Sequence, residues 1–250
     1  MSNVINGNWN GFRELVLTDK IKECDGIISF YFSAKDGGKL AIHKPGQFLP
    51  FKIKTDNEKY KDVIRTYSLS IAPNEYMYRI SVKKIDGGLI STYLHENLNI
   101  GDSIEAMAPT GIFVLKNKPK DEPIVLLSGG IGVTPLLSML YEASKTKTNI
   151  HFVQAVQNSS MHPFKRDIES LVNMKDIKNT VFYSHPLEND VIGKDFDVLG
   201  FVNKEWLSKN VSLNGEFYFC GPPVFMKALE TALLELGVHK ERINYEFFSK

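Results

Sequence analysis

Cysteine is nearly missing from this 250-residue chain, which carries only Cys24 and Cys220. Two thiols so far apart exclude a four-thiolate iron–sulfur cluster or zinc site built from this chain alone, so no metal site is expected. They also make the reducing cytosol the expected compartment. An excess of charge of either sign is missing as well: thirty basic side chains face twenty-nine acidic ones, for a formal charge of +1. That balance argues against nucleic acid and anionic membrane as partners. Long apolar runs are lacking too. The opening MSNVINGNWNGFREL has no apolar core for export, and the longest apolar run is broken by Gly129, Gly130 and Pro135. Neither an export signal nor a membrane span is expected.

The stretch that is most informative is Ile124 to Leu140, IVLLSGGIGVTPLLSML. Its first five residues form the continuous apolar run of a strand covered on both faces, and the run stops at Gly129-Gly130. Pro135 suits the first turn of a helix, where its missing N–H costs nothing, and Leu136, Leu137, Met139 and Leu140 supply an apolar side. A strand, a glycine turn and a helix make the first half of a nucleotide-binding βαβ unit. Gly130 and Gly132 let backbone approach a pyrophosphate, and the helix start favours its charge. Pro135 stands where a third glycine belongs, so the same glycines equally suit a tight turn that binds nothing.

The length accommodates two ordinary domains. From Phe12 to about Ala108 short β-branched and aromatic segments alternate with turns: Phe12–Thr18, Ile27–Ser33, Gln47–Lys54, Thr66–Ile71, Tyr78–Lys84 and Ser103–Met107. Such spacing predicts a small antiparallel β-barrel or sandwich, with one helix at Ile90–Glu96. The polar stretch VLKNKPKDEP that follows Phe113, with two prolines, reads as a linker. Beyond it strands and helices alternate at Ile150–Val156, Phe164–Met174, Thr180–Ser184, Lys204–Lys209, Glu216–Cys220, Pro222–Leu236 and Ile243–Phe247, which predicts a doubly wound parallel α/β domain. Residues 1–116 and 117–250 are the expected domains.

Four further stretches carry chemistry. Arg65-Thr66-Tyr67-Ser68 combines a cation for a phosphate, an aromatic plate and a hydroxyl on one strand, or simply decorates a sheet. Gly87-Gly88-Leu89-Ile90-Ser91 opens a helix in the β half, where Ser91 either serves an anion site or caps the helix. Cys220-Gly221-Pro222 ends an apolar strand where a doubly wound sheet binds its ligand, though a buried free thiol is often only packing. Tyr245-Glu246-Phe247-Phe248 places a carboxylate and aromatics at a strand end.

In order and spacing, Arg-x-Tyr-Ser, Gly-x-x-Ser, Gly-Gly-x-Gly-x-Thr-Pro, Cys-Gly-Pro and Tyr-Glu-x-Phe resemble the ferredoxin–NADP reductase superfamily over nearly the whole chain. HKPGQF, RTYSLS, GGLISTYLH, CGPPVFM and NYEFF look most like the reductase portion of flavohaemoglobins, without a globin. The resemblance implies an FAD-binding barrel and an NAD(P)-binding α/β domain. It implies that Arg65, with its neighbour Thr66, binds the FAD pyrophosphate, that Tyr67 stacks on the isoalloxazine and that Ser68 hydrogen-bonds near flavin N5. Gly88 and Ser91 would hold the flavin phosphates. Phe48 stands where such reductases often have a tyrosine, so a hydroxyl contact is lost. Gly130, Gly132, Thr134 and Pro135 would face the nicotinamide dinucleotide, with Cys220 and Gly221 near the nicotinamide. Glu246 would lie near the reacting ring and Phe248 would cover the flavin as a displaceable gate. Phe247 replaces a common cysteine.

The activity so implied is transfer of hydride from NADPH or NADH to FAD, with Ser68, Cys220, Glu246 and Phe248 at the reacting centre. The electrons would pass to a separate acceptor protein: a ferredoxin, a haem protein or an oxygenase. The alternative is a non-catalytic flavin- and dinucleotide-binding module that senses redox state. A plain α/β binding domain without flavin is disfavoured by the RTYS and GGLIS pair. The second strand of the α/β half ends in VQAVQNSS, without the acid that holds a ribose 2′-hydroxyl. His162, Lys165 and Arg166 follow, either as partners for a 2′-phosphate or as the solvated start of a helix. NADPH is therefore expected to be used at least as well as NADH.

Overall fold

The computed structural model describes residues 9–248 apart from positions 118, 148 and 176. The chain divides into two compact units, Met1–Val114 and Leu115–Lys250.

The first unit holds β1 (Arg13–Cys24), β2 (Ile27–Ala34), β3 (Phe48–Ile53), β4 (Arg65–Ser68), β5 (Tyr78–Lys83), α1 (Leu89–Glu96) and β6 (Ser103–Ala106). The strands pair antiparallel in the order β4-β3-β6-β1-β2-β5. Just after β4 the sheet closes on itself: Leu69 bridges Ile80, and the Ser70 N–H donates to the Arg79 carbonyl at 2.9 Å. Closure leaves no open edge and makes a barrel. Alternate residues point inward, so Leu15, Leu17, Phe30, Phe32, Phe51, Ile80 and Ile104 fill the interior with Ile90 and Leu94 of α1. Buried hydroxyls of Ser70, Ser81 and Ser29 run in a chain along the seam, each 2.7 Å from the next.

Two elements depart from their expected lengths. Strand β1 continues past Thr18 to Cys24 through register shifts at Leu17/Asp19 and Lys22/Cys24. Such bulges bend a long strand around a barrel. Strand β4 stops at Ser68 rather than Ile71, because the next two residues turn away to pair with β5.

The second unit holds β7 (Ile124–Gly129), α2 (Val133–Thr146), β8 (Ile150–Val156), α3 (Lys165–Lys175), β9 (Lys178–Tyr183), β10 (Val198–Leu199), α4 (Lys204–Asn210), β11 (Glu216–Cys220), α5 (Pro223–Glu235) and β12 (Ile243–Glu246). Its strands are parallel in the order β10-β9-β8-β7-β11-β12. The chain builds outward from β7 on one side and then returns to build on the other. The switch point between β7 and β11 is where a doubly wound sheet opens its ligand crevice. Strands β7 and β11 are buried throughout, as their apolar runs require. The stretch read as a linker is partly pinned to this unit: the Lys116 N–H donates to the Tyr218 hydroxyl at 3.0 Å, and its ammonium reaches buried Glu216 at 3.2 Å. Edge strand β10, only two residues long, carries no sequence pattern that announces it. No helix among the described residues is long and apolar enough to cross a membrane.

Candidate functional site

In the first unit β4 is laid along β3 with Phe48 opposite Ser68 and Phe51 opposite Arg65. The register brings five of the sequence-derived candidates, Phe48 and Arg65 to Ser68, onto one strand pair. Tyr67 is half-buried and stacks on Phe51 with centroids 5.7 Å apart, and burial pushes its phenol up to about 12. It is therefore a neutral aromatic plate. Arg65 and Thr66 are exposed; the Arg65 guanidinium donates only to the neighbouring Ile64 carbonyl, at 2.9 Å, and makes no ion pair among the described residues. Ser68 is buried. The Phe48 ring lies against Gly111, where an added Cβ would come within 2.9 Å of it.

At the start of α1 the two glycines have separate jobs. Gly87 takes a φ of +70°, and Gly88 has no room for a Cβ, which would meet Ser91 Oγ at 2.5 Å and the Ile85 carbonyl at 2.9 Å. The Ser91 hydroxyl accepts from the Ile85 N–H at 3.2 Å, so it locks the turn rather than capping the helix. No side chain caps Gly88, and the first N–H groups of α1 stay available for an anion.

In the second unit β7 delivers Gly129 into a 3-10 turn, Gly130–Gly132, that runs into α2. Gly130 has a φ of +52° and open space where a Cβ would be. That is the geometry for close approach of a phosphate. Gly132 differs from expectation: a Cβ there would collide with the Cys220 carbonyl, so its missing side chain serves packing of the turn on β11. Gly221 is likewise enclosed: a Cβ there would lie 2.7 Å from the Phe225 ring and 2.9 Å from the Gly129 Cα. Thr134 is buried and donates to the Ile131 carbonyl at 3.0 Å, holding the turn from inside, and Pro135 is buried beside it. The backbone of this turn, uncapped by any side chain, is the part suited to a ligand.

Parallel register aligns Ser128 with Cys220 and Cys220 with Glu246 at the carboxyl ends of β7, β11 and β12. Cys220 is fully buried, and burial first, with the Glu246 charge adding to it, pushes its thiol well above the ordinary range. A buried, neutral thiol is a poor nucleophile. Glu246 is half-buried and hydrogen-bonds to no described residue; burial raises its carboxyl to about 7. A carboxyl poised near neutrality at a strand end is the group most able to exchange a proton there. Phe248 follows it, exposed, and Phe247 packs edge-on against Tyr245 at 5.4 Å.

The cations expected to meet a 2′-phosphate are placed otherwise. His162 is buried, with Nδ1 3.0 Å from the Tyr183 hydroxyl and Nε2 2.9 Å from Gln154 Oε1, and burial lowers it to about 4. Gln154 donates its amide to Asn179, so Oε1 accepts, His162 Nε2 carries the proton and Nδ1 receives the tyrosine hydroxyl. Lys165 is bound to Asp195 at 3.0 Å. Arg166 alone of the three is exposed. Sequence spacing carried no signal for these partners, because they come from the next strand and a distant loop.

An antiparallel barrel with an uncapped helix start and an arginine in no ion pair among the described residues, followed by a parallel sheet with an open glycine turn, is the build of a flavin- and dinucleotide-type oxidoreductase. Comparison with known proteins agrees. The family described as oxidoreductase FAD-binding domain matches residues 14–115, and that described as oxidoreductase NAD-binding domain matches residues 126–231. A flavohemoprotein of Bacillus thuringiensis subsp. konkukian is 44% identical over 251 residues, covering 97% of this chain and 62% of the relative. The flavohem-like FAD/NAD binding domain of nitric oxide dioxygenase from Vibrio cholerae O1 biovar El Tor matches at 32% identity and a TM-score of 0.86, over 96% of this chain and 100% of that one. The cytochrome b5 reductase domain of Ulva prolifera nitrate reductase, 21% identical, shares the fold at a TM-score of 0.77 over 95% of this chain and 97% of its own.

The chain belongs to the flavohemoprotein-type family of FAD- and NAD-binding oxidoreductase domains, and is an NAD(P)H-dependent flavin oxidoreductase. It spans 62% of the length of the Bacillus flavohemoprotein it matches.

Proposed function

We propose that this chain takes hydride from a nicotinamide dinucleotide onto FAD and passes the electrons to a separate acceptor, a haem protein ahead of a ferredoxin or an oxygenase. The observation that carries this reading is the presence, in one chain, of two phosphate-ready sites of different construction. On the barrel the site is Arg65, in no ion pair among the described residues, with the uncapped start of α1; on the parallel sheet it is the open turn at Gly130. The haem acceptor is favoured because the matched relatives are flavohemoproteins and this chain corresponds to only part of their length.

The residues present fit both groups. Arg65 would clamp the FAD pyrophosphate, Tyr67 would offer its ring to the isoalloxazine, and Ser68 and Phe48 would line that strand pair. The Gly88 helix start would take phosphate oxygens. Bound FAD supplies the change from two-electron to one-electron chemistry. In the second unit the backbone around Gly130 would receive the dinucleotide pyrophosphate, while Glu246 would hold or release a proton near neutral pH. The cytoplasm is the compartment we assign, since both thiols are free.

The test is an anaerobic absorption spectrum before and after addition of NADH or NADPH, followed by addition of a ferric globin. Bleaching of the flavin and then reduction of the haem is the expected sequence. A bound flavin that neither dinucleotide bleaches would instead support a redox-sensing module.

A further inference from the structure

The end of β8 is the place where a doubly wound fold reads the adenosine ribose. Sequence puts no acid there, but tertiary structure brings one. After β9 the chain folds back over the turn that follows β8: the His185 N–H donates to the Gln157 carbonyl at 2.8 Å, and the Asn158 amide donates to the His185 carbonyl at 3.2 Å. The same fold-back delivers Asp190. Its Oδ2 accepts from the Ser159 N–H at 3.2 Å and from the Leu187 N–H at 2.8 Å, which fixes a partly exposed carboxylate beside the β8 turn. The Ser159 side chain also hydrogen-bonds this carboxylate, whose remaining lone pairs keep acceptor capacity toward a further hydroxyl.

The neighbouring charges reinforce the choice. Lys165 is engaged by Asp195 and lies 3.9 Å from Glu169. His162 has both ring nitrogens hydrogen-bonded inside the unit. Arg166, exposed on the first turn of α3, is the one group of the sequence-derived three that would pull the other way.

We propose that Asp190 is a specificity residue, making the second unit select a dinucleotide with a free adenosine 2′-hydroxyl, NADH, over its 2′-phosphorylated counterpart. This deepens, and rests on, the reading of the second unit as a dinucleotide site, and it reverses the preference drawn from sequence. A carboxylate accepts a hydrogen bond from the ribose hydroxyl, whereas a phosphate in its place meets like charge.

Isothermal titration of the FAD-loaded full chain with NAD+ and with NADP+ tests the proposal without reference to turnover. The wild type is expected to bind NAD+ about tenfold or more tightly than NADP+. Asp190→Asn keeps an oxygen for the Ser159 and Leu187 N–H groups but removes the charge, and should bring the two affinities within about threefold, mainly by tightening NADP+. Asp190→Glu should retain the preference for NAD+. Equal wild-type affinities overturn the proposal whatever the variants do, and so does an Asp190→Asn protein of unchanged melting temperature that keeps the full ratio. Failure of both dinucleotides to bind would instead bring down the reading of the second unit on which the proposal stands, and the proposal with it.

Discussion

The two glycine turns that open α1 and α2 look alike in sequence, yet they are built for different reasons. At α1 everything that requires glycine is local: Gly88 is hemmed in by Ser91 Oγ and the Ile85 carbonyl, three residues to either side. At α2 the requirement arrives from the far end of the chain, because Gly132 is pressed against the Cys220 carbonyl at the end of β11. In the α2 turn Gly130, with positive φ and open space beyond it, has the freedom that a ligand-approach reading asks of the whole motif, and Gly87 is its counterpart at α1. A glycine-rich turn thus reports a close approach without saying what approaches.

The largest effect should come from breaking the long-range contact. Gly132→Ala forces a Cβ into backbone that cannot swing aside, and is expected to destabilise the second unit by about 3 kcal/mol. Gly88→Ala meets a side-chain hydroxyl that can rotate and one carbonyl, and should cost about 1 kcal/mol. Urea unfolding of the two variants measures the difference; equal losses would erase the distinction between a local and a tertiary turn.

Arg65→Ala sharpens the comparison from the ligand side. It removes one charge-assisted contact worth about 2 kcal/mol and should weaken FAD binding about thirty-fold, while the melting temperature of the flavin-free protein stays put. Flavin retention on a desalting column and titration of the apoprotein read the two quantities separately. Acid-released FMN in place of FAD would remove the premise of a pyrophosphate clamp.

Glu246 provides a pH signature for the second unit alone. Its carboxyl stands at about 7 when folded and at 4.5 as a reference, so the folded state binds the proton more tightly than the unfolded one. Ionisation of Glu246 therefore works against folding: its own contribution to stability falls as pH rises from 4.5 through about 7, and the full penalty is present above that. Glu246→Gln should flatten this slope. Melting curves taken across the window, wild type against variant, check it; parallel pH dependences would show that the carboxyl titrates at its ordinary value.

Phe248→Ser carries the smallest expected effect. A stacked ring contributes about 0.5 to 1.5 kcal/mol beyond its buried area, so its loss should lower KM and kcat together while flavin content changes little. Steady-state kinetics with NADH and an artificial acceptor decide it, and unchanged parameters would leave Phe248 an ordinary terminal residue.

Periodicity and turn chemistry made most of the architecture legible from sequence. The apolar runs of β7 and β11 read as strands covered on both faces, and the alternating segments before Ala108 as an antiparallel barrel or sandwich, since side-chain period and glycine placement are local properties. The stretches RTYS, GGLIS and SGGIG were visible for the same reason. What sequence left open was decided where remote segments meet. The length of β1 depended on bulges set by its neighbours, and the purpose of Gly132 on a carbonyl at the end of β11. Burial, with the Lys165 charge beside it, made His162 a neutral structural group, and burial raised Glu246. The charge beside the β8 turn came from Asp190, carried there by a loop after β9. Each of these rests on the environment that folding creates around a residue, its dielectric, its hydrogen-bond partners and its nearest backbone, and none of that is a function of the residue's own neighbours in the chain.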